Sequence, residues 1–169
     1  MKDVWNRIHS WLDENAPAGY GHLRPGATTD DIQAAEKAMG LKLPMDVEAS
    51  CRVHDGQGNE PGLIGGEGWC LLSLQEMLTL WRKWSEHAPR FRDCVPVAWG
   101  SAGDYIFLDL GPNAESPGRA IVQRSDTEGT EPVAPSFRLW LEGFADTLER
   151  DEFAYSENES CLVYADELD

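Results

Sequence analysis

The sequence predicts an α+β fold: a single domain with a mixed or antiparallel sheet of about four to six strands, flanked by about five helices. Helical patterns occupy the first part of the chain, strand-like segments cluster in its middle, and a helical pattern follows them. This order differs from the regular β-α-β alternation of dinucleotide-binding folds. The 169 residues fit one domain of ordinary size, and no internal repeat or linker divides them. We therefore expect residues 1–169 to fold as one unit.

Three helices are predicted in the N-terminal third of the chain. Residues 4–12 place apolar side chains at helical spacing. The segment "TTDDIQAAEKAMG" starts with a threonine cap, has acids in its first turn and ends at Gly40. A third helix is predicted from about residue 44 to 54, because Pro44 suits a helix start and an apolar stripe follows it. The stripe consists of Val47, Ser50, Cys51 and His54.

A glycine-rich segment, "HDGQGNEPGLIGGEG", covers residues 54–68 after the third helix. It lacks the GK[ST] ending of a phosphate-binding loop and contains no Lys or Arg, so we do not expect it to bind phosphate. We interpret Asp55 and Gly56 as the C-terminal turn of the helix, with the His54 imidazole near the last carbonyls. A hydrolase using His54 and Asp55 is the alternative, and it requires a solvent-open imidazole beside a concave pocket.

The remaining elements follow in order along the chain. "WCLLSL" predicts a strand that leads into a helix capped by Ser73 and Glu76, and "CVPVAWG" and "DYIFLDL" predict a hairpin. "RAIVQR" is a third strand, and "SDTEGTEPVAP" is predicted as a polar loop. Ser136 caps a last helix with a strongly apolar stripe. "CLVY", near the C-terminus, is a final short strand.

Negative charge dominates the chain, which has a formal net charge of -16. Residues 142–169 hold ten acids against the single Arg150. Such acidity makes nucleic acid and anionic membranes poor partners and favours a basic protein. An equally weighted interpretation is that the acids only keep the protein soluble. The candidate partner-binding residues are Asp146, Glu149, Asp151, Glu152, Glu157 and Glu159.

The four cysteines predict free buried thiols in a reducing compartment. Cys51, Cys70, Cys94 and Cys161 are widely separated, form no C-x-x-C pair and lie in apolar surroundings. The N-terminus has no apolar stretch typical of a secretory signal, and no apolar run approaches 18 residues. We therefore expect a cytoplasmic protein.

The sequence predicts no catalytic, cofactor-binding or metal-binding residue. Ser101 in "WGSAGD" follows Trp99 where a nucleophile elbow needs glycine. The four histidines show no metal-ligand spacing. Acid pairs such as Asp104 and Asp109 are expected by coincidence in so acidic a chain. We expect a protein that is not an enzyme.

The order of several motifs resembles the SUKH superfamily, and within it the family related to the fungal cell-wall assembly regulator. The matching pieces are "TTDDIQAAEKAMGLKLPMDVEASCRVHDGQ", "GLIGGEGWCLLSLQEMLTLWRKW", "VPVAWGSAGDYIFLDLGP", "GRAIVQR" and "VAPSFRLWLEGFADTLERDEF". They run in family order from about residue 28 to 153. The resemblance implies a SUKH-like α+β domain without catalytic residues.

The resemblance also implies two classes of function. Compact bacterial members are immunity proteins that bind and neutralise a cognate intracellular toxin, often a nuclease or deaminase. Fungal relatives are regulatory interaction proteins with disordered extensions. Because the sequence shows no such extension, we expect the immunity function first and a regulatory or scaffolding module as the alternative. The sequence leaves the toxin's identity and the oligomeric state open.

Overall fold

The computed structural model describes residues 1–17, 22–58, 63–65, 68–112, 114, 116–158 and 161–167. Helices and strands follow one another in the order predicted for an α+β fold. The helices are α1 (Lys2–Asn15), α2 (Thr29–Met39), α3 (Met45–Cys51), α4 (Leu74–His87) and α5 (Phe137–Glu149). The strands are β1 (Trp69–Leu71), β2 (Cys94–Gly100), β3 (Tyr105–Asp109), β4 (Arg119–Gln123), β5 (Thr130–Ala134), β6 (Phe153–Ser156) and β7 (Cys161–Tyr164).

The main sheet has five antiparallel strands in the order β1-β2-β3-β4-β5. A bulge between Pro96 and Ala98 interrupts the register of β2 against β3. A separate hairpin pairs β6 with β7, with Phe153 opposite Tyr164. The predicted fold class is therefore confirmed, with a sheet that is antiparallel throughout the described strands.

The two faces of the main sheet pack against different partners. Ile106 and Leu108 face the large core, which also contains buried residues of all five helices among the described residues. Phe107 faces a smaller aromatic cluster, in which its ring stacks on Phe91 with centroids 4.5 Å apart. Alternation along β3 thus sends successive side chains into different cores, because neighbouring residues of a strand point to opposite faces.

Local capping signals set the starts of α2, α4 and α5, as predicted. Thr28 caps α2 in a reciprocal capping box with Asp31, and Gly40 ends that helix in the left-handed conformation. Ser73 and Glu76 form the same capping box at the start of α4. Ser136 caps α5 by accepting a hydrogen bond from the backbone N–H of Leu139.

Three features differ from the sequence prediction. The segment predicted as a polar loop contains β5, whose residues are exposed except for the half-buried Ala134. Because nearly every residue of this edge strand is exposed, it shows no apolar alternation, and its composition resembles that of a loop. β6 was also missed, since only Phe153 in it is buried. The third helix ends at Cys51, three residues earlier than predicted.

Candidate partner-binding surface

His54 is fixed by contacts with α1 and with the chain before α2. Its Nδ1 lies 2.8 Å from the carbonyl oxygen of Arg24 and its Nε2 lies 2.8 Å from Nε2 of His9. The Trp5 ring packs edge-on against the imidazole, with centroids 4.9 Å apart. The expected contact with the last carbonyls of α3 is wrong, because the turn after Cys51 carries the imidazole toward α1 instead.

The next two residues of the "HDGQ" segment join α3 to the start of α4. Asp55 accepts a hydrogen bond of 2.8 Å from the backbone N–H of Leu74, at the N-terminus of α4. Gly56 has a φ of 72°, and a Cβ at this position would lie 2.4 Å from the backbone nitrogen of Ser73. The left-handed conformation and this close approach both require glycine. The left-handed conformation of Gly56 is confirmed, but its predicted place in the C-terminal turn of α3 is wrong, because the helix ends at Cys51 with Arg52 as its C-cap.

Gln57 is fully buried and connects the loop to the sheet. Its Oε1 accepts hydrogen bonds of 3.2 Å from the backbone N–H groups of Ile64 and Leu71. Its own backbone N–H donates to the Leu71 carbonyl oxygen. The "HDGQ" segment is thus a packed junction between α1, α3, α4 and β1, and its polar side chains satisfy backbone groups.

This junction does not provide the open imidazole that the hydrolase alternative requires. His54 is half-buried and both of its ring nitrogens are hydrogen-bonded. Burial and the neighbouring His54 lower the pKa of His9, which Asp13 partly opposes. Across the part of the chain that the structure describes, no cluster of three or more His, Cys, Asp or Glu is arranged to hold a metal ion.

The four thiols are free, as predicted, and three of them are buried. Burial raises the pKa of Cys51 and of Cys94 to about 12, and that of Cys70 to about 11. Cys161 is half-buried in β7. Because the thiolate is the reactive form, the three buried sulfurs are poor nucleophiles near neutral pH.

Two of the predicted partner-binding acids are committed to an internal ion-pair network. The Arg7 guanidinium of α1 lies 2.5 Å from Asp146 and 2.6 Å from Glu149 of α5. These hydrogen bonds lower the pKa of Glu149 and raise that of Arg7. Asp146 and Glu149 therefore join α5 to α1, and Arg7 compensates one of their two negative charges.

The other predicted acids follow α5 and remain mostly uncompensated. Asp151 and Glu157 are exposed, and among the described residues no cation lies within ion-pair distance of either. Asp151 adopts a φ of 55°, so its backbone turns the chain from α5 into β6. Glu152 is 2.5 Å from Arg150. Glu159 lies outside the described residues.

An apolar groove lies between α5, β5 and the β6–β7 hairpin, and of the predicted acids Glu152 lines it. The cavity volume is about 330 Å³. Its walls include Val133, Leu139 and Tyr164, which are 43, 46 and 36% exposed. They are three of the four exposed large apolar side chains among the described residues. We call this feature the α5 groove. Its residues are Gly65, Val133, Ala134, Leu139, Trp140, Gly143, Phe144, Thr147, Glu152, Phe153 and Tyr164.

Sequence reasoning did not identify the α5 groove. The predicted apolar stripe of α5 consists of Phe137, Trp140, Leu141, Phe144 and Leu148. The apolar Leu139 lies outside this stripe, and it is the one sequence signal for an exposed apolar surface. Val133 belongs to a strand that was predicted as a loop. Tyr164 ends β7, opposite Phe153, and their rings stack with centroids 5.0 Å apart. The groove forms from three separate segments of the chain, so no local pattern announces it.

Two further depressions each contain a charged residue that is engaged within the fold. One lies beside Trp99 and Tyr105 and contains Glu76, which caps α4 and pairs with Arg24 at 3.0 Å. The other contains Arg90, which donates to the buried Gln123 at 2.9 Å. The α5 groove and its acids are therefore the candidate surface.

No helix in the described part of the chain has the length and apolar character needed to cross a membrane.

Comparison with known proteins decides the family. Residues 26–143 match the model of the SMI1 / KNR4 family (SUKH-1). The chain belongs to the SUKH-1 family. The matched residues begin before α2 and extend to Gly143 in α5, so they include the "HDGQ" junction and the whole main sheet. The resemblance drawn from the sequence is confirmed.

One of three proteins similar to this chain is a regulator by name. The chain is 33% identical to a KNR4/SMI1 homolog of Yarrowia lipolytica over 69% of its own length. It is 27% identical to the cell wall biosynthesis/cell cycle regulator smi1 of Schizosaccharomyces pombe over 96% of its length. It is 36% identical to the human F-box only protein 3 over 38% of its length. The chain spans only 17, 39 and 14% of these three proteins, respectively.

Proposed function

We propose that this SUKH-1 domain is a protein-interaction module with a regulatory or scaffolding role, and that it binds a basic partner. The observation that carries the proposal is the position of the uncompensated Asp151, which directly precedes Glu152 on the rim of an exposed apolar groove. An apolar centre with a charged rim is the usual composition of a protein-binding surface. The Schizosaccharomyces pombe relative that is named as a regulator supports this function over an enzymatic one.

The internal contacts of the chain also support binding without chemistry. The groups that would serve a hydrolase are used to build the fold: His54 holds the chain before α2, and Asp55 caps α4. The buried thiols have raised pKa values. A binding module needs a rigid surface with complementary charge, and the junction between helices and sheet supplies that rigidity.

Neutralisation of an intracellular toxin is the second candidate function. The formal net charge of -16 favours it, because a nuclease that binds nucleic acid is commonly basic. Long-range attraction would raise the association rate, and fast capture suits an inhibitor that must act before the toxin does. This function requires one dominant partner, whereas a regulatory module binds several.

Charge reversal tests the role of the acids. We would replace Asp151, Glu152 and Glu157 together by lysine and measure association with partners captured from the source cells. The matched control reverses three exposed acids elsewhere, Glu86, Asp126 and Glu128. We expect association with the test variant to slow about tenfold or more at low salt, with a weaker salt dependence. Equal rates for the two variants would remove these acids from the interface.

Partner identity separates the two candidate functions. Coexpression with a toxin domain found among the captured proteins tests neutralisation directly, since a cognate inhibitor restores growth. Capture of several proteins without growth inhibition by any of them supports the regulatory module. Purified domain that forms no complex with any captured protein would contradict both.

A further inference from the structure

Three of the four exposed large apolar side chains of the described residues meet in the α5 groove. We propose that this groove receives one apolar anchor side chain from a partner segment that has lysine or arginine beside the anchor. This inference rests on the proposed function. The occupant is thus a basic segment of another protein. A second copy of this chain and a neutral apolar peptide are the competing occupants.

The size of the groove suits a single large side chain. Its volume of about 330 Å³ is at the lower end of the range for small-ligand pockets, enough for one aromatic residue and part of a neighbour. Leu139 and Trp140 of α5 form one wall, and Phe153 and Tyr164 of the hairpin form the opposite side. Apolar and aromatic side chains of this kind are typical of the centre of an energetically important interface.

The charges around the groove select a basic occupant. Glu152 lines the groove, and the uncompensated Asp151 precedes it. Glu131 lies opposite Val122 in the β4–β5 ladder, on the same face of the sheet as the groove residue Ala134, and Arg124 lies 3.7 Å from it. Arg150 offsets the charge of Glu152, so the excess negative charge at this end of the groove comes from Asp151.

Strand addition to the free edge of β5 is not the expected mode of binding. Pro132 interrupts this strand and has no N–H to donate, and Val133 lies at the register shift against β4. An edge with these features is a poor template for a further strand. The affinity therefore has to come from the anchor and its flanking charges, with little contribution from backbone hydrogen bonds.

Gly143 provides the space for the anchor and a specific way to block it. This residue lies in the middle of α5 and lines the groove, and a Cβ at its position would meet no other atom within 4 Å. The fold therefore does not need a glycine there, although glycine weakens a helix interior. A larger side chain at this position is expected to fill the groove while it leaves the core unchanged.

The experiment uses peptides of defined composition and the full chain. The probe peptide has a central tryptophan flanked by two lysines on each side. One control peptide replaces tryptophan by alanine, and another replaces the lysines by glutamate. NMR titration is expected to shift the amides of Gly143 and Thr147 with the probe only, since both residues line the groove. Equal shifts with all three peptides would overturn the proposal, and so would shifts with the glutamate peptide alone.

Substitution of Gly143 distinguishes groove filling from misfolding. Gly143→Leu should weaken probe binding about tenfold or more, whereas the matched Gly143→Ala should bind with little loss. Both variants should unfold about 2–4 °C higher than the parent, because a mid-helix glycine is removed. Unchanged probe affinity in folded Gly143→Leu would refute the anchor site. Sedimentation of the parent as a dimer that Gly143→Leu dissociates would instead assign the groove to a second copy.

The two proposals fail in different ways. If captured partners bind both the parent and Gly143→Leu equally, the proposed interaction function stands and the anchor site is wrong. If the probe peptide binds the groove but no cellular protein does, the groove chemistry stands and the interaction function is wrong.

Discussion

The Nε2 atoms of His9 and His54 lie 2.8 Å apart, which joins α1 to the "HDGQ" junction through a shared hydrogen bond. The carbonyl oxygen of Arg24 can only accept, so Nδ1 of His54 carries a proton and donates to it. A neutral His54 then accepts at Nε2, and His9 donates. Protonation of His9 would place a positive charge in this half-buried site, against the neighbouring ring of His54.

We predict that stability falls as the pH drops from 8 to 5.5. Desolvation and His54 lower the pKa of His9 in the folded protein, so the unfolded chain binds the proton more readily. The contribution is complete above the unfolded pKa near 6.5 and is lost as the pH falls below it. His9→Gln keeps a donor toward His54 without titrating, so its urea unfolding should depend less on pH. His87→Gln, which alters an exposed histidine, should behave as the parent.

Replacement of Gln57 tests the buried junction. Gln57→Leu keeps the approximate volume but leaves the N–H groups of Ile64 and Leu71 without their acceptor. We expect a loss of about 2–4 kcal/mol in the free energy of unfolding, measured by chemical denaturation. Gln75→Leu, on the exposed side of α4, should change it by less than about 0.5 kcal/mol. Similar losses in the two variants would contradict a special role for Gln57.

Alanine substitution at two left-handed glycines distinguishes the stability cost of backbone strain from that of a steric clash. Gly40 and Gly56 have φ values of 68° and 72°, but a Cβ meets nothing within 4 Å at Gly40 and lies 2.4 Å from the Ser73 nitrogen at Gly56. Gly40→Ala should cost about 1 kcal/mol from strain alone. Gly56→Ala should cost about 3 kcal/mol or more, because the chain must also shift. Thermal unfolding of the two variants measures the difference, and equal costs would show that the close contact relaxes freely.

Thiol modification should follow the burial of the cysteines. At pH 8 a disulfide reagent is expected to react first with Cys161, which is half-buried. Cys51 and Cys94, with their raised pKa values of about 12, should react only when the protein unfolds. Mass spectrometry of the native protein identifies the modified residue. Rapid native labelling of Cys51 would show that the junction opens without global unfolding.

Local patterns explain why much of the fold was predictable. The capping boxes of α2 and α4 and the stripe of α5 depend on residues within one or two turns of a helix. The β2–β3 hairpin depends on two short apolar segments close together in the chain. β5 was missed because its residues are exposed, and the helix before His54 was placed three residues too long.

The sequence by itself determined the fold class, the family and the excess of negative charge, since these follow from local periodicity, motif order and composition. The tertiary structure alone decided which acids remain available to bind a partner. Arg7 pairs with Glu149, 142 residues further along the chain, while Asp151 stays exposed. It also brought Val133, Leu139 and Tyr164 into one groove. Such contacts join segments that are distant in sequence, and only the packing of helices against the sheet sets their distances.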